Sequence, residues 1–548
     1  MQFLTFIGFT ALVAIISYYK TRNTEESSSD GYFLGGRSLT AGVIAGSLLL
    51  TNLSTEQIVG LNGASYASGL SVMVWETLAA IAMVVTAMFL LPRYLKGGLT
   101  TVPGFLAKRF DVTTKTLTSV LFLTGYVVVL LPVILYSGSL AISGMFDIPE
   151  LLGVTHTQSI WICVWGIGII GSIYAVFGGL KAVAVSDSIN AVGLLIGGIL
   201  IPIFGLMMIG DGSILDGLST LTTENPDKFK SMGGPTDPVP FYTIFTGMML
   251  VQLFYWGTNQ QIIQRALGAK DLKEGQKGLI LASFIKILGP LIVVLPGIIA
   301  YHLFQGNLES ADSAYPMLVK KVLPGAWVGF FAAVLFGAIL SSFNSVLNSS
   351  VTLFGIDVYK EHINKNADEK TIVKYGKTFG VFLAIASMFI APLIANAGSL
   401  FDYLQEINGI YSIPIFSIII VGYLTKRVPA IAAKIGLVSG CLLYIVSQFF
   451  MKDYFINKAL ETAKASGVTD QAALALVKVQ AYPHFLDVMA ILFILNVVIM
   501  LIIGKIKPRE EPFVQQYTKQ VDITPWKYVK HASIVICVIV IGIYVYFT

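Results

Sequence analysis

The stretch VIAGSLLLTNLSTEQIVGLNG, residues 43–63, carries Asn52-Leu53-Ser54-Thr55-Glu56-Gln57, six residues of which five are polar, between two apolar flanks. Ser54-Thr55-Glu56-Gln57 has the Ser-x-x-Gln form of a capping box, which begins a helix. Yet it lies in the middle of a run long enough to cross a bilayer, whose core of about 30 Å takes roughly 20 apolar residues. A helix that restarts here has stopped just before, which frees the carbonyls of Leu50 to Leu53 from their usual amide partners. Loose carbonyl oxygens coordinate a hard cation such as sodium, and the amide end of a half-helix favours polar or anionic groups. The competing expectation is an unbroken helix whose polar residues face its neighbours. On either account the sequon Asn52-Leu53-Ser54 is buried and carries no expectation of glycosylation.

Of the 548 residues, 55% are hydrophobic and 12% are charged, with a mean hydropathy of +0.77. That is too few polar residues to cover a soluble protein of this size. The sequence therefore predicts an all-α polytopic membrane protein with about 14 transmembrane helices and no appended soluble domain. Hydropathy and turn signals place the spans near 2–19, 40–65, 70–92, 114–146, 156–179, 183–209, 241–260, 277–303, 323–355, 378–396, 398–424, 429–451, 482–504 and 528–547.

Sorted by the loops between these spans, 27 of the 36 Lys and Arg fall on one side and 8 on the other, with Lys286 inside a span. The positive-inside bias predicts that both termini face outward, extracellular or periplasmic, from a plasma membrane or bacterial inner membrane. The first helix has basic residues after it and none before, the reverse of a secretory signal, so it is expected to stay in the mature protein. The net charge of +5 is modest and suggests no nucleic-acid partner. Cys163, Cys441 and Cys537 lie far apart in apolar runs, and the five histidines form no ligand spacing. No disulfide framework, metal centre or enzyme constellation is expected from them.

Other polar residues also fall inside spans. FGAILSSFNSVLNSS, residues 336–350, contains Ser341 and Ser342, which as neighbours cannot share one helix face. Such serines either bond the preceding turn or complete an oxygen-only shell of about five to six ligands beside an unwound helix. Glu76 and Asp187 lie near enough to span ends to reach water. Lys286 is about nine residues, roughly 13 Å, from the nearest expected helix end and needs a partner; Glu76 has the right sign. Gln405 and Glu406 in FDYLQEINGIYS, and Tyr255, Trp256, Asn259 and Gln260 in the seventh span, add further polar spots. Aromatic faces beside amides and charges suit a neutral polyol, whose C–H face they cover and whose hydroxyls they meet. Aromatics at a membrane boundary are equally ordinary belt residues.

TNLSTEQIVGLNGASYASG, VFGGLKAVAVSDSIN, FYWGTNQQIIQRALGAK, the serine pair with NSVLNSS and IDVYKEH, and FDYLQEINGIYS occur in that order. Together they resemble the solute:sodium symporter family, above all its bacterial sodium/galactose and animal sodium/glucose branch, most strongly over residues 30–425. The resemblance implies a LeuT-like fold. A first helix and cytoplasmic loop (1–39) would precede two inverted five-helix repeats (40–209 and 241–424) whose first helices are broken, and three helices would follow in 425–548. It implies sodium on the carbonyls of Leu50, Leu53 and Ala338 and the hydroxyls of Ser341 and Ser342. It implies a sugar held by Asn52, Gln57, Glu76, Lys286 and Gln405 with Gln252 close by, Tyr255 gating it from the cytoplasm, and Asp187 at a sodium exit or second cation position. Trp75, Ala79 and Gln252 depart from the branch, where the galactose transporter has tyrosine, serine and asparagine, so the particular hexose is open.

The expected function is a secondary active symporter in which sodium drives uptake of a sugar, an aldohexose such as glucose or galactose, by alternating access. One alternative keeps sodium symport but carries another solute such as sialate or proline. An acidic cargo would meet an arginine more naturally than Glu76, and the sequence shows no arginine at mid-span. A second alternative is a sensor that binds sugar without accumulating it.

Overall fold

Dense apolar runs leave the backbone no solvent to bond, so the chain satisfies itself in helices. The computed structural model describes residues 2–21, 28–308, 310–396 and 400–547. Arg22 of the first basic loop and residues 398 and 399 of the eleventh expected span lie outside them. No strand forms among the described residues; one isolated bridge joins Leu39 to Ala269.

The first half of the bundle contains α1 (Gln2–Thr21), α2 (Ala41–Asn52), α3 (Thr55–Ser68), α4 (Val74–Val85), α5 (Val112–Gly125), α6 (Leu131–Phe146) and α7 (His156–Ile209). The second contains α8 (Gly247–Gly257), α9 (Gln260–Leu267), α10 (Leu272–Lys286), α11 (Leu295–Phe304), α12 (Gly325–Thr352), α13 (Glu369–Ile390) and α14 (Leu400–Leu424). After these come α15 (Ala430–Val446), α16 (Lys452–Ala465), α17 (Gln471–Ala481), α18 (Phe485–Ile506) and α19 (Val529–Tyr546). α7 packs on α12 and α2, and α10 packs on α2 and α4, so α2 lies inside the bundle.

Among the described residues, 11 helical stretches are long and apolar enough to cross a membrane, or 12 if α10 with the segment Pro290–Phe304 is one bent span. The difference from the expected fourteen has a local cause. α2 has 12 residues and α8 has 11, each too short to cross alone, because each stops where α3 or α9 restarts. The 42-residue run Thr55–Lys96 in turn joins two expected spans through a turn at Gly69 with φ 76° and ψ −147°, a conformation open essentially to glycine. The expected spans 156–179 and 183–209 form α7, interrupted at Gly179 with φ 56°.

Three of the five π-helical segments among the described residues, Thr86–Leu90, Tyr126–Leu130 and Pro290–Val294, each sit two residues before a proline, Pro92, Pro132 and Pro296. Proline removes an amide donor and crowds the preceding turn, and a widened turn absorbs the mismatch.

Most of the apolar core falls into two large clusters, beside a small third one of Tyr32, Phe33, Val351, Ile372 and Val373. One large cluster holds Leu49, Ala79, Phe254, Ala282 and Ile339; the other holds Leu50, Leu78, Val251, Ile292 and Ala338. The chain thus changes cluster between neighbouring residues on α2, α4 and α12. Buried polar residues, among them Asn52, Gln57, Glu76, Lys286 and Ser342, collect around that boundary.

Candidate functional site

The interruption expected near residue 53 is present. α2 ends at Asn52, Leu53 has φ −75° and ψ 54°, and Ser54 has φ −82° and ψ 178° before α3 begins. The last amide bond of α2 runs from Leu53 N–H to Leu49 O (2.7 Å), and the first of α3 from Ile58 N–H to Ser54 O (2.8 Å). Among the described residues no backbone hydrogen bond crosses the gap, so the carbonyls of Leu50 to Leu53 lack amide donors. The capping box itself does not close. Ser54 makes no side-chain cap, and Gln57, its would-be partner, donates from Nε2 to Glu76 Oε1 at 2.9 Å.

α12 faces the gap. Ser342 Oγ donates to Thr51 O at 3.2 Å, and the hydroxyls of Thr51 and Ser345 lie 3.0 Å apart. Ser345 also bonds back to Ser341 O at 2.6 Å, the bland behaviour of a helical serine, whereas Ser342 reaches across to the broken helix. Ser341 Oγ is buried without a hydrogen-bond partner, and Ala338 is fully buried one turn before.

Glu76 and Lys286 are 0% and 1% exposed and pair at 2.5 Å between Oε2 and Nζ. Lys286 is less deep in a helix than its sequence position suggests. α10 ends at Lys286, where the chain bends by 43°, so the lysine stands in the last turn of a helix, where a positive charge is favoured. At that bend a Cβ on Gly289 would overlap the Glu76 carboxylate. Asp187 is also buried, accepting Ser47 Oγ at 2.6 Å with Arg265 Nη2 at 3.9 Å. Neither carboxylate reaches water, because each has a buried cation beside it.

Arg265 corrects the charge sorting. Placed in a loop by the sequence, it is fully buried, donates from Nε to Ser47 Oγ at 2.9 Å, and bonds Gln261 O and Ser345 Oγ. The bundle therefore does contain an arginine at the polar layer, since α9 turns back inward. Arg109, also counted as a loop residue, is buried against Gly422 O in the last turn of α14 and Thr425 O and Val428 O just past it.

A cavity of about 50 Å³ opens beside the gap, with room for a few waters at about 10–15 Å³ each. Asn52, Gln57, Trp75, Gln252, Tyr255 and Gln405, all expected at a solute site, line it. Glu76 and Lys286 do not line it; they stand behind Gln57 and Trp256, whose ring lies 5.8 Å from the Lys286 ammonium. Gln252 ties two walls together, donating to Trp75 O at 3.0 Å and accepting Trp256 Nε1 at 3.2 Å. Glu56, Gln261, Asn408 and Tyr411 also face the cavity and were not singled out as solute contacts. Leu404, Gln405, Asn408 and Tyr411 follow one helical stripe, a spacing that signals a shared face. Gln260, grouped with its neighbours by sequence, accepts Val102 N–H at 2.8 Å away from the cavity. No cluster of three or more His, Cys, Asp or Glu suited to a metal occurs among the described residues.

Residues 32–440 match the family model described as the sodium:solute symporter family. The chain is 48% identical over 545 residues to the symporter YidK of Escherichia coli strain K12, covering 99% of this chain and 90% of that one. It is 32% identical to the sodium/glucose cotransporter of Vibrio parahaemolyticus over 82% and 85% of the two chains. It is 29% identical to human sodium/myo-inositol cotransporter 2 over 79% and 67%. A substrate-bound, outward-open Na+-coupled sialic acid symporter superposes with a TM-score of 0.68 at 18% identity, covering 91% of this chain and 98% of that one. A nucleobase-cation-symport-1 family transporter gives a TM-score of 0.52 at 14% identity over 87% and 95%. At those identities the likeness shows the fold alone, and the fold is LeuT-like.

Proposed function

The chain belongs to the sodium:solute symporter family, and on that premise we propose that it uses the inward movement of sodium to take up a sugar, an aldohexose such as glucose or galactose, by alternating access. Family and fold are those of transporters, and sodium is the coupling ion. The hexose is our own reading, and one observation carries it. The unwound segment at Leu53 has carbonyls without backbone amide donors, one of them met by the α12 residue Ser342, while its flanking Asn52 and Gln57 line an amide- and aromatic-walled cavity. One interruption thus serves an ion and a polar solute together.

In this reading sodium takes the carbonyls of Leu50, Leu53 and Ala338 with the hydroxyls of Ser341 and Ser342. The sugar meets Asn52, Gln57, Trp75, Gln252 and Gln405, with Glu76 and Lys286 fixing Gln57 and Trp256 from behind, and Tyr255 closes the cytoplasmic side. Asp187 is assigned to the sodium exit or to a second cation position. The repeats are assigned to 40–209 and 241–424, and both termini to the outer face. Sodium raises sugar affinity only to the extent that it binds the two states unequally. The cargoes named for two relatives, glucose and myo-inositol, are neutral polyols, which supports the assignment. Arg265 does not favour an acidic cargo, because its guanidinium is engaged by Asp187, Ser47, Ser345 and Gln261.

Uptake of radiolabelled glucose and galactose into proteoliposomes, with sodium or potassium outside, tests this directly. Sodium should drive accumulation above the outside concentration, which also separates a transporter from a sensor. Equal uptake in potassium would overturn the proposal.

A further inference from the structure

The buried charges around the cavity balance in pairs, with one exception. Glu76 is matched by Lys286 at 2.5 Å and Asp187 by Arg265 at 3.9 Å. Glu56 lines the cavity, is 8% exposed, and its Oε2 has no hydrogen-bond partner. None of the residues lining the cavity is a lysine, arginine or histidine. Two further buried acceptors, Asn52 Oδ1 and Gln261 Oε1, are also unpartnered there. Those amides can turn either face to a ligand and decide nothing alone, but an ionised carboxylate only accepts.

Glu56 sits in the first turn of α3, where the helix dipole favours a negative charge. That favour is small beside the cost of burying an unpaired carboxylate. No cation in the cavity wall answers Glu56, and its Oε2 is open to a donor on the solute. Trp75, Tyr255, Trp256 and Tyr411 also face the cavity, and aromatic faces attract cations. A carboxylate among aromatic rings, with no cation in the wall, is a receptor for an ammonium group.

Resting on the solute site proposed above, we infer that the preferred cargo is an amino sugar, a hexose bearing one protonated amine, held by Glu56 through a charge-assisted hydrogen bond. An anionic sugar is disfavoured by the same carboxylate. The rival counter-ion is sodium itself, bound near Leu53, which would leave the sugar neutral.

Proteoliposome uptake of glucose, galactose, glucosamine and galactosamine separates these outcomes, with wild-type chain and with Glu56→Gln and Glu56→Asp variants. The expected result is sodium-dependent uptake of the amino sugars with a half-saturating concentration lower by about tenfold or more than the parent hexoses, the size of one charge-assisted hydrogen bond. Glu56→Gln should bring amino sugar and hexose to within about twofold, and Glu56→Asp should keep part of the preference. Sodium-dependent hexose uptake with no amino-sugar preference overturns the inference and leaves the hexose proposal standing. A Glu56→Gln variant that needs more sodium for both cargoes equally also overturns it, since Glu56 then answers sodium. If neither class enters in response to sodium, both proposals fall.

Discussion

Glu76 and Lys286 show what single residues contribute and how to measure it. Removing one member of a fully buried pair strands the other, at a cost of about 3–5 kcal/mol, while replacing both by apolar groups is often neutral. Lys286→Met alone should therefore lower the melting temperature in detergent clearly, and Lys286→Met with Glu76→Leu should recover much of the loss. A double variant as unstable as the sum of its singles would argue against direct pairing. Ser342→Ala removes a hydroxyl facing the gap and should raise the sodium concentration for half-maximal uptake. Gln405→Ala, on the cavity wall, should instead raise the cargo concentration needed. Flux titrations in each ligand sort the two, and a swap of these effects would refute the assignment. The Glu76 and Lys286 pairing was legible from sign and depth. Arg265 was not, because it follows a break in a segment rich in Lys and Gly, and only its distant partners Asp187 and Ser47 show that α9 turns inward.

At the scale of elements, the gap between α2 and α3 could be read from polar residues in an apolar run, although the capping box that suggested it is not formed. Its serine is idle as a cap and its glutamine serves Glu76. Local pattern located the helix start, and a tertiary partner then took the side chain. The stop at Thr258 between α8 and α9 followed only from the family resemblance; nothing in the run itself announced it. The bend after α10 gives an element-level test. Gly289→Ala would press a methyl group into the Glu76 carboxylate and should displace Gln57 through their shared hydrogen bond. Cargo half-saturation should rise several-fold with sodium half-saturation nearly unchanged, and normal cargo affinity would show that the bend has no such part.

For the whole molecule, the charge bias predicts sidedness. In a chain cleared of Cys163, Cys441 and Cys537, a cysteine at Gly467, between α16 and α17, should react with an impermeant thiol reagent on intact cells. One at Gln515, between α18 and α19, should react only after permeabilisation, and the reverse pattern would invert the topology. One charge moved through 100 mV is worth about 2.3 kcal/mol. An inside-negative potential of that size should therefore concentrate a neutral sugar about 40-fold at equal sodium, read from tracer ratios at set potassium gradients. Helix class was visible in hydropathy, and the number of spans only up to those that are broken or joined, whereas the divided core was not, because cluster membership depends on which faces meet. That division has a practical meaning for protein engineers. Gln405 lines the cavity at this seam and belongs to neither greasy half, so a library randomised there should yield many well-expressed variants, whereas Trp75, packed in one of the halves, should tolerate fewer. Selectivity can then be retuned there like an exchangeable cartridge, while the surrounding chassis is left alone.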